Sequence, residues 1–225
     1  MPVRYGARRY PRMLPRNRSV RDIYVVTHTE SQHHVDQVVG GWYDAELTQR
    51  GRRQAVAVAA RLAELIDATP QIVSSDLTRT RETAEAIAAR FGTDFSTTND
   101  LREISFGPAE GKPQAWLDER FEPAPDDDRL DFRNSHGGET RRELATRIYR
   151  AMDAILDADG SPQVVVTHGF AMTFVVAAWV GMPIDATGTI NLRATSGGIT
   201  HLHEDDFFRS RQVAFLNDAR HLEGI

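Results

Sequence analysis

The tetrapeptide Val-Val-Thr-His occurs twice in this chain, at residues 25–28 and 165–168, and each copy closes a short apolar run. Ile23-Tyr24-Val25-Val26 and Val164-Val165-Val166 are bounded by polar residues and rich in β-branched side chains, the pattern of buried strands. In an open α/β sheet, ligands bind beyond the carboxyl ends of the strands. His28 and His168 therefore fall at the edge where a site is expected. If the two strands are neighbours, their imidazoles face each other across a small pocket. The residues alone also allow two unrelated histidines, each bonded to a nearby backbone carbonyl.

The rest of the chain alternates in the same style. Thr48 suits a helix N-cap, and Ala55, Val58, Ala59, Leu62, Leu65 and Ile66 recur at helical spacing before Pro70. Gln71-Ile72-Val73-Ser74 reads as a second strand. Asp76 is expected to cap a helix with Thr80, Ala84, Ile87 and Ala88 on its inner face, ending near Gly92. A helix from Thr140 to about Leu156 follows, and an apolar one from Gly169 to about Val180. Strand-like runs lie near 190–194, 199–203 and 213–216. Strands alternating with helices of this length predict the α/β class, a three-layer α/β/α sandwich around a mainly parallel sheet.

Composition narrows the function classes. A chain of 225 residues fits one domain, and the absence of cysteine excludes disulfides, thiolate metal sites and a cysteine nucleophile. No apolar run approaches the roughly 20 residues of a membrane helix. Residues 1–21 hold seven arginines and no acid, which leaves −12 on the remainder of a chain whose formal charge is −5. A nucleic-acid binder carries its basic excess on the folded domain. The sequence thus predicts an Arg/Pro-rich, loosely ordered extension over 1–21 and a single domain over 22–225, with a lid or insertion at about 105–136. That middle stretch carries Pro108, Pro113, Pro123 and Pro125 and little periodicity, which marks functional or mobile segments.

Several short blocks share a further resemblance. Thr27-His28-Thr29-Glu30-Ser31, then Leu47-Thr48-Gln49-Arg50-Gly51, resembles the opening of the histidine phosphatase superfamily, the phosphoglycerate-mutase-like proteins. Ser74-Ser75-Asp76-Leu77-Thr78-Arg79-Thr80-Arg81 is similar to its second block, and Leu101-Arg102-Glu103-Ile104 to the block carrying its acid. Gly137-Gly138-Glu139-Thr140, Thr167-His168-Gly169 and Asn217-Asp218 with His221 resemble the later ones. They stand in family order over nearly the whole chain.

The resemblance implies a phosphoglycerate-mutase-like fold and a phosphohistidine mechanism. His28 is expected to attack phosphorus through one ring nitrogen while the other donates to a backbone acceptor. Glu103 would protonate the leaving alkoxide and then activate water, which requires a carboxyl protonated near neutral pH. Arg79 would grip two phosphoryl oxygens with its planar fork. His168 would add a cationic donor if protonated, and Gly169 would offer the free N–H groups of a helix start.

The chain departs from the family at two positions. Thr27 and Thr29 stand where the resemblance implies an arginine and a glycine around the nucleophile. Losing one charged donor costs about 10² to 10³ in rate unless it is replaced. Thr27, Thr29 and His34 are accordingly expected to bind substrate, with His33, Arg21, Arg52, Arg53 and Arg81 as further replacements. His33 and His34 read equally well as exposed loop histidines. In the lid, Trp116, Phe121 and Phe132 are expected either to cover an apolar substrate part or to pack under the loop. Asp126-Asp127-Asp128 would repel a polyanion.

These readings point to a phosphomonoesterase that needs no metal and no cofactor. The alternatives are a phosphomutase, a phospholigand-binding pseudoenzyme, and a metal held by His28, His33, His34 and His168. The partner expected is a small phosphorylated substrate, with neither nucleic acid nor membrane. A homodimer is left open, and the cytoplasm is the default location.

Overall fold

The structure, a computed structural model, describes residues 20–158 and 162–225. The extension expected over 1–21 lies almost entirely outside the described residues. Strand β1 (Asp22–Thr27) leads into a short helix α1 (Gln32–Val35) and then α2 (Gln49–Leu65). Strand β2 (Gln71–Ser75), helix α3 (Thr78–Phe91) and strand β3 (Phe95–Thr98) follow. After the short helix α4 (Gln114–Asp118) come α5 (Arg141–Asp157), β4 (Gln163–Thr167), α6 (Gly169–Trp179), β5 (Ile199–Glu204) and β6 (Arg211–Asp218).

The six strands form one sheet in the order β3-β2-β4-β1-β5-β6. The first four are parallel, and β5 and β6 add an antiparallel edge. Alternation along β1 divides the core. Ile23 and Val25 pack with α5 and α6 on one face, while Tyr24 and Val26 pack with α2 and α3 on the other. Both faces are covered, so the central strands read as continuous apolar runs. Among the described residues, no helix is long and apolar enough to cross a membrane.

Local chemistry explains most element ends. Thr48 accepts the N–H of Gly51, and Thr140 forms a capping box with Glu143. Gly92 ends α3 at φ 64°, a left-handed conformation that suits glycine.

Two expectations fail, and one strand goes unpredicted. Asp76 does not cap α3: both of its carboxylate oxygens take Arg102, at 2.6 and 2.7 Å, and the N–H of Thr78 goes to Asp44 instead. The run 190–194 is not a strand. The carbonyls of Gly188 and Ile190 accept from Arg141, and the N–H of Leu192 donates to Thr173, so side chains take the place of a ladder. Strand β3 has no sequence signature, because Phe95–Thr98 is a short, polar edge with no fully buried residue.

Candidate active site

Strands β1 and β4 are hydrogen-bonded neighbours in which Thr27 pairs with Thr167. His28 and His168 therefore emerge side by side, with ring centroids 5.1 Å apart in an edge-on arrangement. The repeated tetrapeptide is one structural statement made twice. Beyond the strand ends lies a cavity of about 810 Å³, lined by Thr27, His28, His33, His34, Arg79 and Glu103 among others.

The orientation of His28 is set from both sides. Its Nδ1 lies 2.8 Å from the carbonyl of Thr29 and donates to it, which leaves the lone pair on Nε2. Nε of Arg79 donates to that Nε2 at 3.3 Å. Burial, reinforced by the Arg79 charge, pushes the His28 pKa well below the ordinary imidazole value, so the ring is neutral and nucleophilic.

Arg79, on the first turn of α3, is 1% exposed. Its terminal nitrogens donate to the carbonyls of Tyr43 at 2.8 Å and Gly41 at 2.7 Å. Gly41 adopts φ 59°, and a Cβ there would sit 2.9 Å from the Ile104 carbonyl, so a side chain would displace the loop that anchors the guanidinium. A guanidinium has five N–H donors. Two remain for a phosphoryl group after these three bonds. Burial lowers the Arg79 pKa to about 10, which still leaves it charged at neutral pH.

Glu103 is held differently from any simple surface acid. Its carboxylate accepts from the N–H groups of Ile104, Phe170 and Ala171 at 2.9 to 3.0 Å. The second and third N–H groups of α6 are thus taken by Glu103, while Gly169, its first residue, lines the cavity. Three N–H donors favour the charged form, but burial outweighs them and the pKa is raised. A carboxyl poised upward is what proton donation to a leaving group requires.

Beneath it lies a positioning network that sequence reasoning did not assign. Arg147 donates to the Glu103 carbonyl at 2.6 Å and pairs with Glu139 at 2.7 and 2.8 Å, while Trp42 donates to the same carbonyl at 2.7 Å. A charged residue on the apolar face of α5, beside Leu144, Ile148 and Ala151, was the available signal.

His168 is fully buried. Its Nε2 pairs with the Ser75 hydroxyl at 2.9 Å, and its Nδ1 is buried without a partner. Burial, then Arg79 and His28, push its pKa well below normal, so the ring is neutral in the free protein and the condition set for a cationic donor is not met there.

Thr29 does not line the cavity: it is fully buried, its hydroxyl donates to the Gly51 carbonyl, and its own carbonyl orients His28. Thr27 lines the cavity, but its hydroxyl donates to the Thr195 carbonyl at 2.6 Å. His33 and His34 lie on the short helix α1, His33 buried and His34 exposed. His33 is 7% exposed with Nδ1 2.9 Å from the Ser31 hydroxyl, and the His34 ring stacks 5.4 Å from His28. Both line the cavity, whereas Arg21, Arg52, Arg53 and Arg81 do not; Arg52 instead pairs with Glu46 and Glu82. Among the described residues, Arg79 is the one arginine or lysine lining this space.

The four site histidines do not gather as a metal-ligand set among the described residues. In the stretch expected to form a lid, Trp116 packs against Val39, Ala109 and Leu117 under Lys112 and Arg120 and lines neither cavity. Phe121 and Phe132 line a second cavity of about 280 Å³ on the other side of Glu103. The acidic run at 126–128 lies away from both spaces, with Asp126 paired to Arg129.

A mainly parallel sheet with paired histidines, a buried arginine and a buried carboxyl at its carboxyl edge is an arrangement suited to phosphoryl transfer. The sequence profile of the histidine phosphatase superfamily (branch 1) matches residues 23–214, and the chain belongs to that superfamily. It is 31% identical over 210 residues to a probable phosphoglycerate mutase GpmB of Salmonella paratyphi C, covering 89% of this chain and 94% of that protein. The solved mycobacterial glucosyl-3-phosphoglycerate phosphatase in complex with VO3 superposes with a TM-score of 0.74 at 27% identity, covering 88% and 100% of the two chains. Bacillus stearothermophilus YhfR gives 0.72 at 25% identity over 90% and 100%.

Proposed function

We propose that the protein is a metal-independent phosphomonoesterase that hydrolyses a small phosphorylated metabolite through a phosphohistidine. The observation that carries this reading is the His28 ring, whose Nδ1–H is committed to the Thr29 carbonyl so that Nε2 meets Arg79 in the cavity. In the first step the Nε2 lone pair attacks phosphorus, the P–O bond to the leaving group breaks, and the Glu103 carboxyl supplies its proton. In the second, Glu103 takes a proton from water as the water oxygen displaces Nε2 from phosphorus. Arg79 leaves His28 for the phosphoryl oxygens, and His168 donates through a ring N–H, which concentrates positive charge on the equatorial oxygens.

Glu103 stands at the junction of the two cavities. A general acid must touch the oxygen between phosphorus and the leaving group, so the second cavity suits that group. Phe121 and Phe132 offer it apolar faces, while Arg129, Arg141 and His136 offer donors. A mutase reading draws on the name of the Salmonella relative. A single lining arginine favours a monoester over a bisphosphate. The test is phosphate release from a panel of phosphomonoesters with chelator present, comparing the native chain with His28→Ala. Release that depends on His28 supports the reading. Retention of the phosphoryl group on a second hydroxyl would favour the mutase, and no turnover of any ester would favour a binding protein.

A further inference from the structure

At the other end of the sheet, two histidines and an aspartate converge on one point. His201 and His203 are two residues apart on β5 and so project from the same face. Asp22, the first residue of β1, pairs in register with His203, and Tyr24 with His201. Nε2 of His201 and Nδ1 of His203 each lie 2.8 Å from the same oxygen, Oδ1 of Asp22. All three ligand atoms fall within 4.8 Å of one another, the only such grouping among the described residues.

We infer that Asp22, His201 and His203 form a binding site for a divalent transition-metal ion of the zinc type, separate from the catalytic cavity. Two imidazole nitrogens with one carboxylate oxygen suit zinc, cobalt or nickel, whereas calcium and magnesium favour all-oxygen sets. The His201 ring is held in place: it stacks on Tyr24 at 4.4 Å with the planes 2° apart, and the Tyr24 hydroxyl donates to the Leu65 carbonyl. Side-chain exposures of 17% for His201, 33% for His203 and 31% for Asp22 leave one side open, so water completes the shell. The ion takes the place of the two N–H···O contacts, and each imidazole then carries its proton on the other nitrogen. It would tie β1 to the antiparallel edge where the chain enters the sheet. The length of β1 puts it about 20 Å from His28. Removal therefore leaves phosphoryl transfer intact.

The test is a calorimetric titration of the tag-free full chain with zinc, paralleled by the visible absorption of bound cobalt. One equivalent is expected in the native protein. Asp22→Asn and His203→Ala, checked for fold by circular dichroism, should each weaken binding by about tenfold or more with phosphatase activity retained. The double variant His33→Ala/His34→Ala should bind as the native chain does. No saturable binding, or binding lost in the double variant and kept in His203→Ala, would overturn the proposal. The activity reading is judged separately, by phosphate release in chelator.

Discussion

Nε of Arg79 and Nε2 of His28 face each other at 3.3 Å, so the phosphate-gripping group and the nucleophile occupy one another in the free protein. The contact is long for a hydrogen bond, and the fork can exchange it for a phosphoryl oxygen without moving its anchors on Tyr43 and Gly41. Arg79→Lys preserves a charge but loses the fork and both anchors. A fall of about 10² to 10³ in kcat/KM is expected, by analogy with removal of one preorganised donor. Steady-state kinetics on the best ester of the panel checks it, and near-native turnover would show that the fork is not used.

The pH profile follows from the two shifted groups. His28 must be neutral, and its lowered pKa puts the acid limb below the ordinary imidazole value. Glu103 must be protonated for the first step, and its raised pKa carries the alkaline limb above the ordinary carboxylate range. Glu103→Gln is expected to remove the alkaline limb and lower the rate by about 10² to 10⁴ on alkyl phosphates. The loss in phosphoenzyme formation should shrink on an aryl phosphate, whose leaving group needs no proton, while hydrolysis of the phosphoenzyme stays slow.

Arg147 offers a sharper distinction between positioning and chemistry. Arg147→Met frees the Glu103 carbonyl and strands Glu139. The expected result is slower phosphoenzyme formation from alkyl phosphates with substrate affinity nearly unchanged, and the aryl phosphate is again much less affected in that step. An equal loss on both substrates would mean a general structural defect.

Among the described residues Arg79 is the one permanent cation lining the cavity, and the neighbouring histidines can supply further charge on demand. Burial holds the His33 pKa at about 3 and lowers that of His34. A bound dianion favours their charged forms. Sulfate, whose charge does not change between about pH 6 and 8, should therefore bind more tightly as pH falls, with protons taken up from the buffer. Thr27→Arg should tighten phosphate binding and reduce that uptake. Calorimetry in buffers of different ionisation enthalpy measures both, and unchanged phosphate affinity would mean the histidines already fill the space.

The same histidines link folding to pH. His28, His33, His34 and His168 all have folded pKa values below the unfolded value near 6.5. The unfolded chain binds more protons below that value, so stability is fully present above it and declines as pH falls. In urea titrations, His33→Gln/His34→Gln should flatten the loss between about pH 6.5 and 4. An unchanged slope would assign the acid sensitivity to other groups.

What was legible in the sequence was local or repeated. The twin Val-Val-Thr-His runs marked two buried strands that each end on a histidine, and Thr48 and Thr140 announced helix starts, because cap chemistry acts within four residues. The blocks around Arg79 and Glu103 marked side chains that the fold brings to one cavity with His28. What they touch was hidden. Thr29 looked like a pocket residue until the fold set it under α2, and Asp76 looked like a cap until Arg102 claimed it. The Arg147 and Glu139 pair beneath Glu103 joins distant segments through backbone carbonyls, which leave no trace in side-chain patterning. Strand β3 and the run at 190–194 fail for the same reason, since tertiary partners decided them.

The most direct test is to trap the phosphoenzyme. The protein is mixed briefly with the best ester, quenched in alkali, digested and mapped by mass spectrometry. The account predicts a phosphoryl group on His28, absent from His28→Ala and accumulating when Glu103→Gln slows its hydrolysis of an aryl phosphate. Phosphate released by a chain that never carries it on His28, or turnover undiminished in His28→Ala, would contradict the account.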